Sequence, residues 1–235
     1  MGAGPNGASR AARRSPLDLR DVTARCEPPR LPTLDAFETL VRWRRDVRRF
    51  KPLPVEPKEL ARLLEIANLA PSVGNSQPWR IVQVETRSRR DAIRANFEAA
   101  NVKAAAGYDE ARRREYEALK LAGFDHAPVH LCIFCDPDPG DGHGLGRQTQ
   151  PQTLDYSCAG LINVLWLAAR IQGIGLGWVS ILESSEFNAL LDVPPAWRFV
   201  GYLLMGYPQE EHEDPELVRL GWQDRTPLAS RCLVR

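Results

Sequence analysis

The stretch Thr153–Ile171 constrains this chain most. Leu154, Ala159, Leu161, Ile162, Val164, Leu165, Trp166 and Leu167 make it apolar nearly all round. A helix of that kind has no polar face to give to water. It must lie in a core or between subunits. Gly173 and Gly175 follow it and read as its stop.

The rest of the chain supplies elements to enclose that helix. Residues 79–84 alternate and are rich in β-branched and apolar side chains, which predicts a strand. Residues 129–135 form an apolar run, as a central strand would. Further strands are predicted at 176–181 and 199–205. Thr33 or Asp35 can cap a helix with Phe37, Leu40, Val41 and Trp43 on one face. Pro57 fits the first position of a helix reaching about residue 69, with Leu60, Leu63, Leu64 and Ala67 at helical spacing. Residues 89–122 read as one or two exposed helices, and Ser184 as the cap of a short helix ending near 191. Strands separated by helices, with further helices flanking, give an α+β layered domain over 31–235. Residues 1–30, rich in Gly, Ala, Pro and Arg without a hydrophobic period, read as a disordered tail.

Composition narrows the function classes. The formal net charge is +1, so no global field draws the protein to nucleic acid or an acidic membrane. No apolar run reaches the roughly 18 to 20 residues of a membrane helix. Five cysteines, an odd number spread along the chain, argue for reduced thiols in a cytoplasmic protein.

Several motifs offer chemistry. The loop over 70–80 presents hydroxyls at Ser72 and Ser76 and amides at Asn75 and Gln77, between the stiff ends Pro71 and Pro78. Amides carry both donor and acceptor and suit an imide-and-carbonyl edge such as a flavin's pyrimidine side. Gly74 permits a close backbone approach to a ligand. Arg42, Arg44, Arg45, Arg48, Arg49 and Lys51 cluster around Asp46. Arg44 and Arg48 would share a face if the first helix continued that far. Arginine forks match phosphate oxygens, but by position alone a solvated helix end is the better account of the cluster. Cys132 and Cys135 point to opposite faces of a strand and read as buried thiols rather than metal ligands. His126 and His130 receive no ligand role. The run Gly173-Ile174-Gly175-Leu176-Gly177-Trp178 has the order helix, glycines, strand, the reverse of a dinucleotide fingerprint. Its glycines allow a tight turn and a close approach to a flat ligand.

Together these segments resemble the nitroreductase-like flavoprotein superfamily. The carrying pieces are Arg44-Arg45-Asp46-Val47-Arg48-Arg49-Phe50, the APSxxNxQPWR pattern over 70–80, and the stretches 175–181 and 222–226, in family order. Asp46, Ser180 and Leu119-Lys120-Leu121 resemble the branch that fragments its flavin, since ordinary nitroreductases usually carry a small or neutral residue at the place of Asp46. The match departs in its arginine-heavy 48–50 region and its extended N-terminus. The resemblance implies a homodimer with a central, mainly antiparallel sheet flanked by helices and FMN at the subunit interface. It implies that Arg44, Arg45, Asp46, Val47, Arg48, Ser72, Asn75, Gln77, Ser180 and Arg225 hold the flavin, and that residues near 103–112 cover it.

The implied reaction consumes reduced FMN and O2 and releases 5,6-dimethylbenzimidazole and erythrose 4-phosphate. Asp46 would act as general acid/base and Ser180 as a hydrogen-bond donor. A flavin reductase would supply the reduced FMN, with NAD(P)H as the indirect reductant. Competing readings are an NAD(P)H-dependent nitroreductase or flavin reductase, a non-catalytic flavin-binding protein, and an interaction protein acting through its arginine-rich N-terminus.

Overall fold

A computed structural model describes residues 31–119, 123–124 and 126–235. The tail expected over 1–30 and the pair Lys120-Leu121 lie outside the described residues. Four strands, β1 (Trp79–Gln83), β2 (Val129–Cys135), β3 (Gly175–Val179) and β4 (Arg198–Gly206), form one sheet in the order β1-β2-β4-β3. All three pairings are antiparallel. The β2–β4 register slips between Ile133 and Phe134, where Val200 has no partner.

β2 is buried along its whole length between β1 and β4. Its side chains alternate between the two faces. Val129, Leu131, Ile133 and Cys135 join one core, packed with helices α2 (Pro57–Ala67) and α5 (Thr153–Ile171). Cys132 and Phe134 join the other, packed with α3 (Arg87–Ala106) and α6 (Phe187–Leu191). The two cysteines therefore part across the sheet, as their odd spacing dictates. Among the described residues, no group of side chains could hold a metal ion.

α5 buries Leu154, Cys158, Leu161, Ile162, Leu165, Ala168 and Ala169, while Tyr156 and Ile171 stay exposed. Each buried Leu or Ile contributes roughly 1.5–3 kcal/mol. The helix ends in a Schellman motif, with Ile174 N–H on Ala169 O (2.9 Å) and Gly173 N–H on Arg170 O (3.0 Å). Gly173, at φ +70°, alone makes that stop. Gly175, also expected to end the helix, is instead the first residue of β3.

Two further expectations are corrected. Helix α1 (Leu34–Trp43) is capped by the Thr33 hydroxyl but stops at Trp43, and Arg44 is extended. Arg44 and Arg48 therefore share no helix face. The reason is a stronger bidder for the backbone: Val47 N–H bonds to Leu176 O of β3 at 3.0 Å. Ser184 caps nothing. It opens a single 3₁₀ turn before α6, and the Asn96 side chain accepts from Glu183 N–H at 3.0 Å. The remaining helices are α4 (Glu110–Ala118) and α7 (Glu216–Arg219).

Candidate functional site

The segment 44–49 is held by bonds to other elements. Besides Val47 N–H, the Asp46 carboxylate accepts from Trp178 N–H at 3.0 Å, and the Trp166 indole donates to Arg45 O at 3.1 Å. Gly175 and Gly177 lie on one face of β3, two residues apart. A Cβ on Gly177 would meet Val47 O at 2.3 Å, and one on Gly175 would meet the Val47 side chain at 2.5 Å. The close approach these glycines permit is to the carbonyl and side chain of the chain's own Val47.

Of three recesses that open on this segment among the described residues, the smallest, about 40 Å³, lies between residues 45–49 and Glu210, Glu211, Asp214 and Glu216. A cavity of about 160 Å³ is lined by Asp46, Val47, Arg48, Phe97, Phe124, Trp178 and Ser180, with Ile181 and Leu204. Ser180 lies just beyond the end of β3. A neighbouring cleft of about 150 Å³ is lined by Arg44, Arg45, Asp46, Arg48, Glu216 and Arg225. Asp46 and Arg48 belong to both walls.

The cleft sets four guanidinium groups against two carboxylates. Arg45 Nε and Arg48 Nη1 are buried without a hydrogen-bond partner among the described residues. Burial, with Arg44 and Arg225 close by, makes Arg45 a weaker base than usual. An anion placed there would relieve both the repulsion and the unpaired donors. Burial also pushes the Asp46 carboxyl above the usual carboxylate range; Trp178 N–H and Arg48 pull it down but do not prevail. The Asp46 side chain keeps 38% of its surface open, so a ligand in either recess can reach it. Its other oxygen lies 3.2 Å from Arg48 Nε.

The loop over 70–80 is built differently. Gly74, Asn75 and Gln77 all take positive φ. Ser72 Oγ accepts from Gln77 N–H and Ser157 Oγ from Val73 N–H, both at 3.1 Å. The Gln77 amide turns back onto Asn75 O. A Cβ on Gly74 would meet Leu145 O at 2.9 Å. Here too the close approach is to the chain itself, the turn around 142–145. Ser157, which anchors the loop, and Trp166, which anchors Arg45, lie nine residues apart on α5, about 13 Å along its axis.

The structure thus brings Arg44, Arg45, Asp46, Val47, Arg48, Ser180 and Arg225 around adjoining recesses. Ser72, Asn75 and Gln77 line neither the cavity nor the cleft. Residues 103–112, expected as a cover, line neither of them. Phe97 of α3 walls the cavity, and Tyr108, Tyr116 and Trp222 cluster with ring centroids 5.2 to 6.3 Å apart. Arg112 stacks over Trp222 at 4.8 Å, three residues before Arg225.

The sequence reading assigned no role to Phe97, Phe124, Trp178, Glu216 or Asn96. Asn96 is buried and grips the loop after Ser180, donating to Glu183 O and Glu186 while accepting from Glu183 N–H. The spacing of Ile93, Asn96 and Phe97 at i, i+3 and i+4 is the one mark in the sequence that turns Asn96 inward.

A sequence profile described as "Nitroreductase family" matches residues 41–207. The chain is 51% identical to the 5,6-dimethylbenzimidazole synthase of Rhodospirillum rubrum over 82% of this chain and 92% of that protein. It is 44% identical to the protein of that name from Rhodobacter capsulatus, over 82% and 93%. Among solved structures, the fold is similar to an oxidised iodotyrosine deiodinase bound to FMN and 3-iodo-L-tyrosine, with TM-score 0.62 and 24% identity over 74% of this chain and 90% of that one. It is also similar to a nitroreductase-like protein from Bacillus cereus, with TM-score 0.60 and 21% identity over 88% and 99%. With its antiparallel sheet between two helical layers and its profile match over most of its length, the chain belongs to the nitroreductase family and is an oxidoreductase of that family.

Proposed function

We propose that this protein fragments reduced FMN in an oxygen-dependent reaction that releases 5,6-dimethylbenzimidazole and erythrose 4-phosphate. The observation that carries the reading is the adjacency of a cavity bearing both Asp46 and Ser180 to a cleft lined by four arginines. Relatives at 41 to 51% identity that bear the synthase name support it.

The residues present fit the group. The FMN phosphate is an anion, and Arg45 Nε and Arg48 Nη1 are donors without partners. Arg44, Arg45, Arg48 and Arg225 would hold the phosphate end, and Asp46, Val47 and Ser180 would border the ring. Reduced FMN would supply the electrons and the carbon skeleton, O2 would be the oxidant, and the pyrimidine part of the ring would leave as a third fragment.

The protein's own part is positioning and proton handling. Asp46 holds its proton to higher pH than a free carboxyl because burial outweighs Arg48 and Trp178 N–H. It is therefore better suited than a free carboxyl to take part in proton transfer. The Ser180 hydroxyl directs a hydrogen bond toward oxygen as it reacts. Phe97, Phe124 and Trp178 exclude water from the cavity.

The active species would be a homodimer in which the 72–77 loop of a second copy completes each flavin site. A flavin reductase using NAD(P)H would furnish the reduced FMN.

The test is product analysis. Chemically reduced FMN is mixed with the protein, air is admitted, and the products are separated. 5,6-Dimethylbenzimidazole formed in proportion to FMN lost supports the proposal. Recovery of intact oxidised FMN contradicts it, and NAD(P)H turnover with a nitroaromatic acceptor would then identify a reductase.

A further inference from the structure

Arg48 stands between two carboxylates. Its Nε lies 3.2 Å from Asp46 Oδ2 and 3.8 Å from Glu216 Oε2. The other oxygen of Glu216 lies 3.1 Å from Arg49 Nη2. Arg49 also pairs with Glu210. The Glu216 side chain is only 13% exposed. A carboxylate enclosed at the edge of an anion cleft opposes anion binding, so binding alone gives no reason for it. Its other relation is to Asp46, across one shared guanidinium.

We infer that Glu216 is a positioning residue that sets the proton affinity of Asp46 by dividing Arg48 between two carboxylates. The inference deepens the proposed reading of the site, and its catalytic purpose rests on that reading. Arg49 fixes one Glu216 oxygen, so the other stays turned to Arg48. Sharing weakens the hold of Arg48 on ionised Asp46, and a second negative charge nearby disfavours that ion further. Both effects keep the proton on Asp46 to higher pH. The charged groups that act on Asp46 are Arg48 from its own segment and Glu216 from α7, while β3 contributes only the Trp178 N–H. Arg44, Arg45 and Arg225 complete the lining of the cleft.

The test needs no flavin. Protein carrying ¹³C-carboxyl aspartate is titrated by NMR in the flavin-free state, with Asp46→Asn assigning the signal. In Glu216→Gln the Asp46 midpoint should fall by about half a pH unit or more, and in Glu216→Asp, which keeps the charge, it should stay near wild type. Glu216→Ser is a second neutral variant should the amide disturb α7. An unchanged or higher midpoint in the neutral variants overturns the inference. So does an equal fall in Glu216→Asp, which would make shape rather than charge responsible. Because the titration is independent of turnover, failure of the product assay and failure of this inference are separate results.

Discussion

The segments 44–49 and 70–80 are both short, polar and held between regular elements, yet they end in opposite states. In the first, β3 and α5 satisfy the backbone and leave side chains unanswered: Arg45 Nε and Arg48 Nη1 lack partners. In the second, most polar groups answer one another, and Ser76 Oγ alone in that loop is buried without a partner among the described residues. Ser72 bonds Gln77 N–H and Gln77 bonds Asn75 O, on a backbone with three residues at positive φ. The difference teaches that polarity alone does not make a ligand site. Segment 44–49 offers unpaired guanidinium donors beside a cleft, while 70–80 spends most of its polar groups on its own turn and on Ser157 of α5.

The largest predicted effect lies in the receptive segment. Asp46→Asn preserves the Trp178 N–H bond but removes the proton relay, so product formation should fall by at least about 100-fold. Product at the wild-type rate in a steady-state assay would break the contrast at its centre. Next is flavin affinity. Arg48→Ala removes a charge-assisted contact and should weaken FMN binding about 10- to 100-fold, as read by fluorescence quenching. The proposed dimer gives a sharper version. Arg48→Ala and Gln77→Ala subunits that each bind poorly should, when mixed and re-paired, regain one intact site per mixed dimer. No regain would show that the two segments do not serve one site across a subunit boundary.

A third prediction extends the contrast to the wall behind the cavity. His130 is buried, with Nδ1 accepting from the Tyr202 hydroxyl at 2.7 Å and Nε2 donating to Ala127 O at 3.1 Å. Burial lowers its pKa from 6.5 to about 3. The unfolded chain therefore takes up a proton below about pH 6.5 that the folded protein refuses until about pH 3, and stability falls as pH drops through that window. Urea unfolding at several pH values should show a shallower fall for His130→Gln, whose amide offers both a donor and an acceptor. An unchanged slope would assign the acid sensitivity to other groups. The smallest effect is in the self-satisfied loop. Gln77→Gly relieves a positive φ while losing an exposed side-chain bond, so stability should change by no more than about 1 kcal/mol. A much larger loss in thermal denaturation would mean that the Gln77 side chain holds the loop.

Much of the frame was legible because burial writes itself into sequence. The apolar run of β2 and the all-round apolar α5 appear where they were expected, and Gly173 makes the stop. The candidate site was legible in part: Ser72, Asn75 and Gln77, expected in it, line neither the cavity nor the cleft. Asp46, the arginines and Ser180 were recognisable from a family pattern, yet whether Arg44 and Arg48 share a helix face turned on where α1 ends. Only the pairing of Val47 with Leu176 puts them on an extended segment. The glycines of 173–177 announce a close approach without saying to what. Asn96 shares the buried face of Ile93 and Phe97 at i, i+3 and i+4, so its inward turn was legible in spacing but its partners were not, and Glu216 left no such signal.

The central claim is that Asp46 and Ser180 act in one cavity on one reaction. A single-turnover experiment tests it most directly, following flavin oxidation by absorbance and counting 5,6-dimethylbenzimidazole per FMN consumed. Wild type should give product in proportion to flavin lost. Asp46→Asn should give almost none, and Ser180→Gly should oxidise flavin while releasing it intact. Wild-type product yield in both variants would contradict the account.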